Sequence, residues 1–581
     1  MATFLFEDIN LDSSSFPNQL TIFNDSLSFV ADNGNAGEEI WKTDGTSAGT
    51  VLFTDLDPND TSVPESLTVA GDTLFFTAHD GVTGFELWKT DGTTEGTSLV
   101  VDLDSNNEID FLPNLLTAVD STLFFINRDQ TTGIELWKSD GTADGTTLVR
   151  DINPSGNADP ENLIDVNGTL FFGADDGTNG FELWKSDGTN DGTTLVQNIN
   201  PNGDSRVKNL ININGTLLFS ADDGTNGFEL WKSDGTTEGT VLVKDINPRG
   251  DANLDNLIDI NGTLYFSADN GTNGVELWKS DGTTEGTVLV KDINPSGDSS
   301  FNDPVLYRNK IYFAANDGTN GVELWESDGT EEGTLLVSDI NSNEGEGSAP
   351  ANLTVFDSKI FFTADNGSAG DDRINGRELW RTDGSDEGTS FVRDINPDGS
   401  SFANEFTIFN ENLYFSAENN SLGRELYVND PDASPFNTAI YRFQNSDKPG
   451  TYIFVGEEER ASIKANFPSF QEEGLAFQVG ETFGDDLVPY YRFQSVQNPG
   501  TYLFVDDAER TSIFENFADS FSEDGLAFYV HSAGSGLGET FYRFHNTDQP
   551  GTYIFAAGEE RDNILANFTN FVEEGAAFEV G

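Results

Sequence analysis

"ELWKSDGTTEGTVLVKDIN" occupies residues 229–247 and recurs letter for letter at 276–294. A chain that repeats a phrase repeats a structural unit, and the period decides the architecture. The tryptophans mark that period. Trp41, Trp88, Trp137, Trp184, Trp231, Trp278, Trp325 and Trp380 are spaced by 47, 49, 47, 47, 47, 47 and 55 residues. A ninth unit ends in "RELYVND", with Tyr427 in the tryptophan slot 47 residues after Trp380. Nine units therefore fill residues 1–430. Nine equivalent aromatics read as one core residue per unit, packing each unit on the next, ahead of nine ligand-stacking sites.

One unit, "NLININGTLLFSADDGTNGFELWKSDGTTEGTVLVKDINPRG" from residue 209, divides into four strands. "NLINI" and "TLLFSA" are joined by Asn214-Gly215, the type I′ hairpin signal. "DDGTNG" joins the second strand to "FELWKS", and "DGTTEG" joins that to "TVLVKDI". No helical period appears. Four antiparallel strands in 40–50 residues is the pattern of a propeller blade. The strands are apolar on both faces, as expected when each sheet lies between two others.

The expected architecture is a closed β-propeller of nine four-stranded blades, with an open superhelical β array as the alternative. Closure follows from the ends. "FLFEDIN" at 4–10 matches a fourth strand, as in "VLVKDIN" at 241–247, with no blade before it, and the ninth unit stops after its third strand. The orphan and the gap are complementary, so Phe4–Ile9 is expected beside Glu425–Val428. An open array would leave ragged, unpaired edges.

"ELWKSDGT" followed by "GT.LV.DIN" resembles the bacterial ELWxxDGT-repeat family over roughly the first three quarters of the chain. That resemblance implies a propeller-like fold found in large secreted or surface proteins, and it brings no catalytic residues. "KSDGT" is similar to the Asp-box of sialidase-type propellers, which implies a folding device and not sialidase activity.

The vocabulary changes after "NDPDASPFNTA". The domains read as 1–430, a linker at 431–439, and 440–581. "YRFQNSDKPGTYIFVGEEERASIKANF" begins at Tyr441 and returns in altered form from Tyr491 and Tyr542. Each copy reads as strand, strand, short helix, strand, with Ile463, Ala465 or Phe467 as apolar helix positions in the first. Three copies imply one small pseudo-threefold α+β domain. It resembles an uncharacterised, trefoil-like three-repeat bacterial domain appended to secreted hydrolases and surface proteins. Arg442, Arg492 and Arg543 recur, as do Arg460, Arg510 and Arg561; structural ion pairs with nearby glutamates are the first reading and three equivalent ligand pockets the second.

Composition limits the function. Lys+Arg is 29 and Asp+Glu is 101, a net charge of −72. Such a chain repels nucleic acid and anionic membranes. The 47 Phe supply ample core. No Cys is present, so there is neither disulfide nor thiolate chemistry. No run approaches the roughly 18 apolar residues of a membrane helix, so membrane insertion is not expected. "MATFLFEDINLDSSS" shows no Sec-type signal peptide, so an extracellular or cell-surface place would need non-Sec export, and an intracellular place stays open. The histidines, His79, His531 and His545, form no pair at metal-ligand spacing. No GxSxG, HExxH or phosphate loop occurs.

These features favour a non-enzymatic extracellular or cell-surface binding or scaffold protein, with a glycan or extracellular matrix as partner. A propeller hydrolase or lyase acting on polysaccharide, and a self-associating subunit of a sheath or surface layer, are the alternatives. An enzyme should show one cluster of unlike, convergent polar groups. The one clear departure from the repeat is the insertion "ADNGSAGDDRINGRELW" in unit eight, with Asp371, Asp372 and Arg373.

The expected cofactor is calcium. Residues 1–430 hold 21 basic and 76 acidic residues, a net of −55, and such self-repulsion favours bound cations. The oxygens of Asp175, Asp176 and Asn179, of Asp222, Asp223 and Asn226, and of Asp269, Asn270 and Asn273 are of the kind calcium prefers. Asp371 and Asp372 join them in unit eight. The competing reading of these loops is a metal-free hairpin turn, in which Asp caps its own backbone.

Overall fold

The computed structural model describes the chain except residues 1, 59, 104–111, 344, 368–375, 397–398, 432–437, 447–451, 457–459, 461–462, 465–467, 480–486, 497–501, 517–519, 533–538, 549–552 and 581. Asp371 and Asp372 therefore lie outside the described residues, as do Ala465 and Phe467. The chain divides into two compact units, one spanning Phe4–Val428 and one built mainly from residues 429–581. The fold is mainly β, and no described helix is long and apolar enough to cross a membrane.

Among the described residues the first unit is propeller-like, with nine four-stranded antiparallel sheets. In eight of them the strands follow sequence order. In the ninth, Ala2–Glu7 lies beside Gly423–Asp430, followed by Asn412–Asn419 and Asn404–Phe409. The first strand of each sheet lies against the first strand of the next, and Asn18–Phe23 lies against Asn404–Phe409.

The repeat phrase explains each sheet locally. Asn214 (φ 51°) and Gly215 (φ 86°) both adopt the left-handed conformation that a type I′ turn requires. Thr216–Asp222 buries five consecutive residues, because both of its faces are covered. Neighbouring residues in the third strand then serve opposite sides. Trp231 packs with Phe171, Leu183 and Val196 of the preceding sheet, whereas Leu230 packs with Leu254, Phe266 and Trp278 of the following one. Trp231 is thus a shared core residue between sheets. Trp231→Ala is expected to cost about 4 kcal/mol, read as a lower denaturation midpoint with an unchanged slope.

The "DGTxxG" letters describe one turn. Asp234 Oδ1 accepts hydrogen bonds from Thr236 N at 2.9 Å and Thr236 Oγ1 at 2.7 Å, and Thr236 Oγ1 accepts one from Gly239 N at 3.0 Å. A Cβ on Gly239 would lie 2.0 Å from Asp234 Oδ1. The same clash recurs at Gly192 and Gly286, so space fixes this glycine. Gly239→Ala is expected to destabilise the unit by about 2 kcal/mol, as overpacked sites do; thermal melts of the variant check it.

Among the described residues the second unit shows strand, strand, helix, strand in its second and third copies, as in Glu539–Asn546, Tyr553–Ala556, Gly558–Asn567 and Phe571–Val580. Its core is threefold. Phe454, Phe504 and Phe555 form a triangle with ring centroids 5.7–6.3 Å apart, and Phe477, Phe528 and Phe578 form another at 5.3–6.2 Å. Each triangle takes one residue from each repeat. The recurring arginines join the repeats. Arg442 binds Glu473 of its own repeat and Glu560 of the third. Arg543 binds Glu574 and, through two nitrogens at 2.7 Å, Glu509 of the second. Arg460, Arg510 and Arg561 lie 3.8, 4.2 and 3.7 Å over the rings of Tyr441, Tyr491 and Tyr542 and pair with Glu472, Glu523 and Glu573. These guanidiniums are spent on holding the fold.

Candidate functional site

The acidic loops are occupied by their own backbone. Asp175 Oδ1 accepts from Gly177 N at 2.7 Å. Asp176 Oδ1 accepts from Thr178 N and Asn179 N at 2.8 and 2.7 Å, and its Oδ2 accepts from Asn179 Nδ2 at 2.7 Å. Asp222, Asp223 and Asn226 repeat this pattern. Asp269 Oδ1 caps Gly271 N, Asn270 Oδ1 caps Thr272 N and Asn273 N, and Asn273 Nδ2 reaches Asp292 Oδ2 at 2.5 Å. The structure thus brings together Asp176 with Asn179, Asp223 with Asn226, and Asn270 with Asn273, in turn geometry. Among the described residues no three His, Asp or Glu side chains converge as a metal group.

The glutamate of "ELW" is fully buried. Glu229 Oε2 accepts from Ile246 N at 2.5 Å and Oε1 from Asn247 N at 3.2 Å. Glu182 does the same for Ile199 and Asn200. Each carboxyl therefore satisfies the backbone where the fourth strand turns toward the next sheet. Burial pushes Glu39, Glu135, Glu229, Glu276 and Glu425 up to about 7 and Glu378 to about 8, against the opposing pull of these hydrogen bonds. A neighbouring carboxylate, Asp245 for Glu229, adds to the rise.

His79 lies tilted against the Phe85 ring at 5.5 Å and 3.9 Å from Asp57, His531 is buried in Phe521–Ser532, and His545 faces Glu574.

The feature that sequence reasoning missed lies on the first strands. Each carries one residue in the left-handed conformation: Gln19, Ser66, Leu115, Asn162, Asn209, Asn256, Asp303, Asn352 and Glu405, with φ of 49–61°. Next to each, the register of pairing shifts, as in a β-bulge. Asn tolerates this conformation, which is the signal hidden in the recurrent "NL" of "ENLI", "KNLI" and "DNLI". Where the residue is an amide, it clamps the next sheet: Asn162 Nδ2 donates to Val207 O at 3.1 Å, Asn256 Nδ2 to Phe301 O at 2.8 Å, and Asn352 Nδ2 to Ala403 O at 3.2 Å. A cavity of about 470 Å³ opens on the first strands of four consecutive sheets, from Asn256 to Phe406.

A domain of unknown function, DUF5648, matches residues 409–531. No curated protein matches. The chain is similar to solved structures over part of its length. One comes from a study of two prolyl endopeptidases (11% identity, TM-score 0.34, 65% of this chain and 56% of that one). Another is a puromycin hydrolase (10%, 0.30, 64% and 63%). A third is oligopeptidase B from Leishmania major (10%, 0.35, 62% and 55%). This chain thus spans less than two thirds of each. These matches correct the expectation of a non-enzymatic extracellular binding or scaffold protein: the solved chains it resembles are peptidases and hydrolases. The units are equivalent in their turns and cores, which carry the fold and constrain chemistry little.

Proposed function

We propose that Phe4–Val428 closes into a nine-bladed β-propeller of the ELWxxDGT type and that its central channel takes up extended polypeptide. The observation that carries this reading is the cavity of about 470 Å³ on the first strands, each of which is an edge strand of its sheet. Edge strands offer main-chain N–H and C=O groups to an extended chain, which is how strands recognise polypeptide without regard to its full sequence. The net charge of −55 over residues 1–430 favours basic segments and speeds their encounter. Binding of labelled basic and acidic decapeptides to the full chain tests the reading. Basic peptides should bind and lose affinity steeply between low and physiological salt; equal, weak binding of both sets would overturn it.

We also propose that calcium stabilises this unit. The Oδ1 atoms of Asp151, Asp245 and Asp292 are buried and accept no hydrogen bond among the described residues, and Asp292 is tied to the Asn273 loop. A chelator at fixed ionic strength should lower the melting temperature, since an ion bound only to the native state stabilises it by mass action. If sodium chloride reproduced the full effect of calcium, the acids would be a solvated surface alone.

A further inference from the structure

Resting on the reading of the first strands as a polypeptide site, we infer that the cavity is a subsite for a basic side chain with an aliphatic stem, whose cationic head meets Asp303. Its walls are mixed: Leu257, Ile258, Pro304, Leu353 and Phe406 give it an apolar side, and Asn256, Asp303, Asn352 and Thr354 line the rest. No basic residue lines it. Its volume, about 470 Å³, falls in the range of small-ligand sites.

Asp303 breaks the clamp series at this place. In five sheets the equivalent residue is an amide that donates to the next sheet, from Gln19 Nε2 to Pro64 O at 3.1 Å through to Asn352. A carboxylate has no proton to donate. Asp303 Oδ2 instead accepts from Asn352 N at 3.0 Å, which fixes the side chain. Its Oδ1 accepts no bond among the described residues, and the residue is exposed. The lining also departs from the repeat at two other points. Seven of the nine sheets place Leu at the position after the bulge residue (Leu20, Leu67, Leu116, Leu163, Leu210, Leu257 and Leu353), whereas Pro304 and Phe406 stand there in the other two. The cavity joins both departures to Asp303. One oriented carboxylate beside the side chains of Leu257, Leu353 and Phe406, with neutral acceptors from Asn256, Asn352 and Thr354 nearby, suits an ammonium or guanidinium on an aliphatic stem. A carboxylate ligand would meet repulsion, and a neutral stem would gain only the wall.

The test uses the full chain and three small probes, n-hexylammonium, hexanol and hexanoate, followed by titration NMR or calorimetry. Hexylammonium should bind best. Asp303→Asn keeps an acceptor for Asn352 N and so keeps the bulge, but it should weaken hexylammonium about tenfold and leave hexanol unchanged. Phe406→Ala should weaken hexylammonium and hexanol alike. Unchanged hexylammonium affinity in Asp303→Asn, or equal binding of hexanoate, would overturn the subsite. A lysine-containing and a norleucine-containing peptide separate the two levels. Hexylammonium binding that depends on Asp303, without binding of either peptide, would leave the subsite standing and remove the polypeptide reading. Peptide binding indifferent to Asp303→Asn would do the reverse.

Discussion

A chain beginning at residue 17 should lose about 5 kcal/mol of stability in its N-terminal unit and should self-associate at concentrations where the intact chain does not. The missing strand would leave Gly423–Asp430 as an open edge, and an open edge is a template for pairing with another chain. It would also strand Glu425. That carboxyl is fully buried and receives Ser15 Oγ at 2.5 Å, Ser15 N at 2.8 Å and Ile9 N at 3.0 Å. Leaving a buried carboxyl without its hydrogen-bond donors typically costs about 1–3 kcal/mol for each group left unsatisfied. Packing is lost as well: Phe6 lies edge-on to Tyr414 at 5.0 Å, and Ile9 belongs to the cluster of Phe409, Leu426 and Val428. Adding a synthetic peptide of residues 1–16 in trans should restore the melting temperature and dissolve the oligomers. If the truncated chain melts like the intact one, the first strand does not seal the ninth sheet.

The sheets were legible because their signals are local and repeated. Asn214-Gly215 states a turn type, and the tryptophan interval states a period, so four strands per unit could be placed without any long-range information. The pairing of the first strand with the last sheet was legible too, as a missing piece and a spare one. The site was not. Glu229 is written as one more acid in an acidic chain, and nothing local says that its carboxyl is buried under Ile246 and Asn247, 17 and 18 residues on. The bulge residues were hidden in the same way: Asn256 and Asp303 look like polar strand ends until the left-handed φ and the cross-sheet partner are known. The acidic loops, such as Asp223 with Asn226, carry oxygens of the kind calcium prefers, but which of them cap N–H groups is a matter of backbone geometry. Function was least legible, because the repeated letters encode turns and core contacts, and those constrain chemistry very little.

Lowering the pH from 8 to 5.5 should stabilise the N-terminal unit, raising its melting temperature by several degrees. The cause is the set of buried glutamates. Their native values are raised, to about 7 for Glu39, Glu135, Glu229, Glu276 and Glu425 and to about 8 for Glu378, from an ordinary 4.5. Glu182 and Glu323 shift in the same direction. Between the ordinary value and the raised one, the folded chain holds protons that the unfolded chain has released. Stability therefore falls as pH rises through that window, with a slope of about 1.4 kcal/mol per pH unit for each such group at most. The sign reverses at the acid end. The turn aspartates Asp234, Asp281 and Asp328 are held below their ordinary value by the Thr side-chain and backbone donors they accept from. Their contribution is present above 3.8 and is lost as pH falls through their native values. The stability maximum should thus lie near pH 4.5–5.5, below the usual neutral optimum. Two controls separate this from the relief of surface repulsion, which acts in the same direction. In 0.5 M sodium chloride the surface term is screened but buried titration persists. Glu229→Gln removes one titrating carboxyl while keeping an acceptor for Ile246 N, so the proton uptake on folding at pH 6 should drop by up to one. A melting temperature that is flat from pH 8 to 5.5 in high salt would mean that these glutamates stay ionised in the folded chain, and that the hydrogen bonds to each outweigh its burial.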